Sequence, residues 1–383
     1  VIAALLLTVG ALPAAALPSE RPDPTLMVDG RVRSIVKAGR NIWIGGRFSR
    51  VMTRSGGVVS EVDNVAVFDA RTGAFRDIAP SLGGAGSEVW DMDYYRLGRK
   101  APRLVIAGRF TAGPKKKNLV VVDPKRGRIV DWYQAPIGKA VLAAPKLRTI
   151  YSGGISLTAF KFSGRKLWTR AKLGINPDLR GHDTKPAYRD MELRRKTIWV
   201  ACQCDRVDSA TDNAKSLIKL NSSGRWDPSF KPQGAGSAAW GVAVELIKGD
   251  LYLGAGGSDY VASYTTSGSQ RWKRDTSGST QELASMDGVL VIGGHFVEVA
   301  DHASDGCGFR SSNPGTLDPN DECQTRRYLA AYSLGGSLHG WSPSVTGKYN
   351  GVWALEVQGS RLHVGGEFTK VSGVKQTFYA RLS

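Results

Sequence analysis

The fold class predicted by the 383-residue sequence is all-β, a seven-bladed β-propeller of four-stranded antiparallel blades. Three observations predict it: a strand motif that recurs seven times, a glycine-marked turn into an aromatic-bearing strand after most copies, and chain ends that complement one another. The recurring motif is an apolar run closed by small residues. It reads Asn41-Ile-Trp-Ile-Gly-Gly-Arg-Phe48, Arg103-Leu-Val-Ile-Ala-Gly-Arg-Phe110, Arg148-Thr-Ile-Tyr-Ser-Gly-Gly154 and Thr197-Ile-Trp-Val-Ala-Cys202. Asp250-Leu-Tyr-Leu-Gly-Ala255, Val289-Leu-Val-Ile-Gly-Gly-His-Phe296 and Arg361-Leu-His-Val-Gly-Gly-Glu-Phe368 complete the set.

A shorter strand precedes each copy, as in Val89-Trp-Asp-Met-Asp93, Tyr188-Arg-Asp-Met-Glu192 and Val352-Trp-Ala-Leu-Glu356. A third strand follows and turns at glycine into a fourth that carries Trp132, Trp168, Trp226, Trp272 or Trp341. Four alternating strands per repeat with Gly/Ser/Asn turns are the pattern of a propeller blade. The paired glycines let neighbouring backbones approach, and the outer tryptophan fills the wedge between diverging blades. The seventh repeat runs out at Phe378–Leu382, its third strand, so Thr25–Val28 is expected to complete the last blade and seal the ring.

Residues 2–12 are almost wholly apolar and run into Ala14-Ala15-Ala16, which predicts a signal peptide over 1–16 and a single propeller domain over 17–383. No Lys or Arg precedes the apolar run, so the natural start is a non-Met codon or lies upstream. No later apolar span is long enough for a transmembrane helix, which excludes a multi-pass membrane protein. The expected location is extracellular, secreted or wall-associated. In that setting four cysteines read as disulfides, with Cys307–Cys323 and Cys202–Cys204 the preferred pairing of three. Cys202 and Cys204 share one face of a strand and could equally remain buried thiols.

Two patterns resemble known repeat families. Gly-Gly-x-Phe-(Thr/Ser)-x-Val at 45–51 and 365–371, with Leu329-Ala-Ala-Tyr332 ahead of Trp341-Ser-Pro343, is similar to secreted bacterial delta-60-type repeats. The third-strand pattern, Val67-Phe-Asp-Ala-Arg-Thr-Gly73 and Val122-Asp-Pro-Lys-Arg-Gly127, is similar to PQQ-like quinoprotein repeats. The resemblance covers nearly all of the chain after residue 16 and implies a propeller fold. These motifs are scaffold, and they imply no catalytic residue.

Candidate sites come from alignment of the repeats. The first strands place Asp91, Asp190 and Glu282 in one register facing a central channel, and Asp93, Glu192, Glu245 and Glu356 two residues on. Converging carboxylates suit acid–base work on a glycan, or they accept bonds from neighbouring backbone. The long connections share one face and make it the expected ligand face. Its candidates are His182, Asp183, Asp318 and Asp321, the last two on a loop that could take calcium although no recognised loop spacing is present. No other metal or cofactor is expected.

Net charge is +18, with 52 Lys+Arg against 34 Asp+Glu. Arg99, Lys100, Lys125, Arg126, Arg194, Arg195 and Lys196 gather in the short turns of the opposite face and suit an anionic envelope polymer rather than a specific nucleic acid. Neither Gly-x-Ser-x-Gly nor His-Glu-x-x-His occurs. The leading expectation is therefore a secreted binding or scaffold propeller, held to an anionic surface or meeting a protein partner at its long loops. The rival is an extracellular enzyme, polysaccharide-active or quinoprotein-like, that uses the channel carboxylates.

Overall fold

The computed structural model describes residues 17–98, 100–113, 117–175, 185–208, 216–234, 240–302, 307 and 323–383. Regular structure among them is β, apart from one 3-10 turn at Pro145–Leu147. The recurring motif forms the second strand of each of seven antiparallel sheets. The first sheet joins Arg31–Ala38, Asn41–Arg47 and Val65–Asp69. The second joins Gly83–Tyr95, Arg103–Thr111, Lys117–Val122 and Ile129–Trp132. The third joins Ala140–Ala144, Thr149–Gly153, Leu157–Lys161 and Lys166–Arg170.

The fourth sheet contains Ala187–Arg194, Thr197–Gln203 and Leu217–Asn221, and the fifth Trp240–Ile247, Asp250–Gly256, Tyr260–Thr265 and Gln270–Asp275. The sixth contains Thr280–Met286, Val289–Gly294 and Leu329–Ser333, and the seventh Val345–Gln358, Arg361–Val371 and Tyr379–Leu382. Where a fourth strand is not continuous, single bridges mark its place: Phe68 with Phe75, Leu220 with Trp226, and Tyr332 with Leu338.

The second strands are apolar on both faces because each sheet is covered on both sides, so Ile42, Trp43 and Ile44 are all buried. Seven apolar clusters among the described residues each lie between two sheets, as when Trp43 and Val67 of the first meet Val89 and Leu104 of the second. Another joins Ala354 and Tyr379 of the seventh sheet to Val32 and Ile35 of the first. First strands pack in the same order, from Arg31–Ala38 on Gly83–Tyr95 through to Val345–Gln358 on Arg31–Ala38.

The glycine pair has two separate duties. A Cβ on Gly45 would meet Val89 of the next sheet at 2.5 Å, and one on Gly365 would meet Val32 at 2.6 Å. The second glycine of the pair faces carbonyl oxygen across its own ladder, with a Cβ on Gly46 falling 2.0 Å from the oxygen of Arg31. There the first strand bulges: Val32 pairs with Gly46 and Ser34 with Gly45, leaving Arg33 as the extra residue.

The N-terminal segment differs from the expectation. Ser19 N–H donates to Ser383 O (3.0 Å), Asp23 N–H to Arg381 O (2.8 Å), and Pro22 bridges Leu382. Thr25–Val28 does not take that edge, because Met27–Val28 pairs instead with Arg50–Met52 in a small sheet that continues to Val58–Glu61. The earlier segment also has specific partners for the edge: Asp23 pairs with Arg381 at 2.5 Å, and Trp341 Nε1 donates to Pro18 O at 2.8 Å.

Two further small sheets pair Leu173–Gly174 with Arg206–Val207 and Glu298–Ala300 with Cys323–Thr325. All three small sheets are built from connections that lead into a first strand or link a second strand to a third. In an antiparallel meander, such connections leave a sheet at the same end. Cys202–Cys204 and Cys307–Cys323 are both disulfide-bonded.

Candidate functional site

The bulge seen at Arg33 recurs in five other first strands, and the residue left out of register is Trp90, Arg189, Val242, Gln281 or Trp353. An extra residue near the start of a strand re-aims its side chain. These side chains, with Lys139 from just ahead of the third sheet, converge on a cavity of about 60 Å³. It lies at the end of the sheets where first strands begin, the end that also carries the long connections. The Arg33 guanidinium lies 3.9 Å from the Trp353 ring and 4.7 Å from that of Trp90, and its Nε donates to Glu88 Oε1 at 2.8 Å. The Lys139 ammonium lies 5.4 Å from the Trp90 ring.

Asp91, Asp190 and Glu282 border the same cavity, each one residue after a bulge. Their oxygens are largely committed. Asp91 accepts N–H bonds from Met92 and from Val141 of the next sheet, both at 2.7 Å. Asp190 accepts from Met191 at 2.7 Å and from Val244 of the next sheet at 2.8 Å. Glu282 accepts from Leu283 at 3.0 Å. One layer on, Asp93 accepts from Ala143 at 2.6 Å. Asp91 and Asp93 thus clamp the second sheet to the third, and Asp190 the fourth to the fifth, whereas the bond of Glu282 stays within its own strand.

Burial sets the titration of this column. It pushes Asp91 and Glu282 well above the usual carboxylate range, with Asp190 adding to both, and it raises Asp190 itself against two amide bonds. Burial raises Asp93 to about 6, Glu356 to about 7 and Glu245 to about 8, and holds Glu192 well above its ordinary value. The same burial lowers Lys139 to about 8 and Arg189 to about 10, each pressed further by neighbouring cations.

Of the other candidates, His182, Asp183, Arg99, Asp318 and Asp321 lie outside the described residues, as does the segment 1–16. Among the described residues, no group of three or more His, Cys, Asp or Glu is arranged to hold a metal ion, and no helix is long and apolar enough to cross a membrane. Lys100, Lys125, Arg126, Arg194, Arg195 and Lys196 are all exposed; Arg126 lies 3.6 Å from Asp123. His295 bridges Gln281 and the Ser279 amide, and His363, pushed down to about 3 by burial, sits between Tyr379 and Gln358.

Sequence reasoning missed Arg33, Trp90, Lys139, Arg189 and Trp353. A strict two-residue alternation places the carboxylates toward the channel and the residue before them away from it. The bulge breaks that alternation, and the small-residue pair opposite it is the sequence signal that marks where.

No family model and no curated protein matches the chain, so the delta-60 and PQQ-like patterns gain no support at family level. Solved structures do match. U3-55K, a WD40 propeller, aligns with a TM-score of 0.57 at 12% identity over 94% of this chain and 98% of that one. The computationally designed protein Ika8 gives 0.50 at 12% identity over 96% and 99%, and BamB from Moraxella catarrhalis 0.47 at 13% over 89% and 95%. Likeness at such identity speaks to fold alone. The chain has a β-propeller fold.

Proposed function

We propose that the chain is an exported, seven-bladed propeller closed by its N-terminal segment, and that it binds a ligand at its long-loop face without transforming it. The observation that carries this reading is the division of labour in the channel. Asp91 and Asp190, two of the three carboxylates an enzyme would need, are tied to amides of the next sheets, whereas Arg33, Lys139 and Arg189 line the cavity at the mouth. Closure is supported by the apolar cluster between the seventh and first sheets and by the bonds of Ser19 and Asp23 to the last strand. The two disulfides are consistent with an oxidising compartment.

Attachment to an anionic envelope polymer through the exposed basic turns completes the proposal. Its test is retention of the purified chain on cell-wall fractions and immobilised polyanions across a salt series. Retention should fall steeply with salt and weaken when Arg194, Arg195 and Lys196 are changed together to Gln. Retention indifferent to salt would remove the surface-binding half.

A further inference from the structure

We propose that the channel mouth is a site for one compact tetrahedral oxyanion, a phosphate group, held by Arg33, Lys139 and Arg189. This inference rests on the long-loop face being the ligand face, and it names the chemistry received there.

Arg33 and Arg189 come from the first and fourth sheets and Lys139 from just ahead of the third, so they approach the cavity from different directions. A planar carboxylate offers two oxygens in one plane, whereas three converging donors match the oxygens of a tetrahedral group. The cavity, about 60 Å³, admits one such group or a few waters and no ring. Any larger part of the ligand must therefore lie outside, over the loops. Among the described residues, no carboxylate lies within ion-pair distance of Arg189 or Lys139, and no hydrogen bond occupies the Arg189 fork. Asp91, Asp190 and Glu282 line the same cavity, but burial raises all three acids and favours their neutral forms, so the cations set the sign of the pocket. Arg189 and Lys139, gathered there without a paired carboxylate, mark a candidate ligand site.

Arg33 is the prepared member of the set. Glu88 holds its Nε, and the Trp90 and Trp353 rings restrict its plane, so its terminal nitrogens are positioned before a ligand arrives. The two tryptophans therefore position a cation rather than stack on a ligand.

The test titrates the chain with inorganic phosphate at constant ionic strength, followed by calorimetry and ³¹P line broadening, then repeats it with a long-chain polyphosphate. Saturable binding at one site, weakened about tenfold or more in Arg189→Gln and in Lys139→Met, is the expected result. Recovery of most of that loss in Arg189→Lys would support the charge as the source. Tight binding of polyphosphate with weak binding of the free ion would assign the group to a polymer; the reverse would assign it to a small solute. Both variants should melt no lower than the parent without phosphate, since each removes an unpaired cation. Phosphate binding unchanged by both variants would overturn the inference. So would melting several degrees lower in Arg189→Gln without phosphate, since Arg189 would then be structural. If no phosphate binds but another ligand's retention falls when exposed long-loop residues are changed, the oxyanion inference fails and the face survives. If changes at neither the mouth nor the loops affect any retention, the binding-face reading itself fails.

Discussion

Gly365→Ala addresses the contact between the last sheet and the first. The added Cβ would lie 2.6 Å from Val32 Cγ1 and 3.1 Å from Ile35 Cδ1, within a cluster of buried residues shared by the two sheets. Overpacking of this kind costs about 1–3 kcal/mol. Unfolding entropy of about 2 cal/mol/K per residue makes 1 kcal/mol worth only about 1.3 °C in a chain of this size, so urea midpoints are the better assay. Gly340→Ala, where an added Cβ meets nothing within 4 Å, is the neutral control. Val32→Ala removes the struck methyl and by itself costs about 2 kcal/mol. Combined with Gly365→Ala, the two should be less than additive by about 1 kcal/mol or more, because each relieves the other. Strict additivity between residues at opposite ends of the chain would refute the packing of seventh sheet on first.

Three further outcomes follow from the channel and the cysteines. Glu245 and Glu356, raised by burial to about 8 and about 7, hold protons in the folded state that the unfolded chain releases above about pH 4. Their contribution to stability is therefore complete below the unfolded value and declines as pH rises toward 8. Glu245→Gln should flatten that decline and raise the urea midpoint at about pH 8 relative to about pH 5; a parent slope of the opposite sign would contradict the burial of the column. Asp91→Ala strands the Val141 N–H, while the Met92 N–H keeps Ser34 Oγ at 3.1 Å, and should cost about 1–3 kcal/mol by urea denaturation, a loss that Asp91→Asn recovers only in part. Alkylation of the unfolded, unreduced chain should add no label at any of the four cysteines, and a species labelled at both Cys202 and Cys204 would refute their pairing.

Much of the architecture was legible because the repeat is local. Apolar runs such as Ile42-Trp43-Ile44 state that both faces are covered, and the small residues that follow state where a neighbouring sheet comes close. The channel carboxylates were legible too, as a register, though not their role, since whether Asp190 meets an amide or a substrate depends on the neighbouring sheet's position. The mouth was not legible: one extra residue in six of the seven first strands breaks the two-residue alternation and brings Arg33, Trp90 and Arg189 to the cavity. The edge partner of Tyr379–Leu382 was misplaced by a few residues. Thr25–Val28 reads as the better strand, but Asp23 has Arg381 to pair with, and Met27–Val28 finds Arg50–Met52.

Arg189 and Asp190 are adjacent in sequence and are assigned opposite roles, ligand contact and sheet clamp, so the most direct measurement is a side-by-side unfolding of Arg189→Gln and Asp190→Ala without ligand. Asp190→Ala should lose about 2–4 kcal/mol as the Met191 and Val244 amides go unsatisfied, while Arg189→Gln stays level or gains. A loss in Arg189→Gln equal to that in Asp190→Ala would make the mouth cations part of the scaffold and contradict the account.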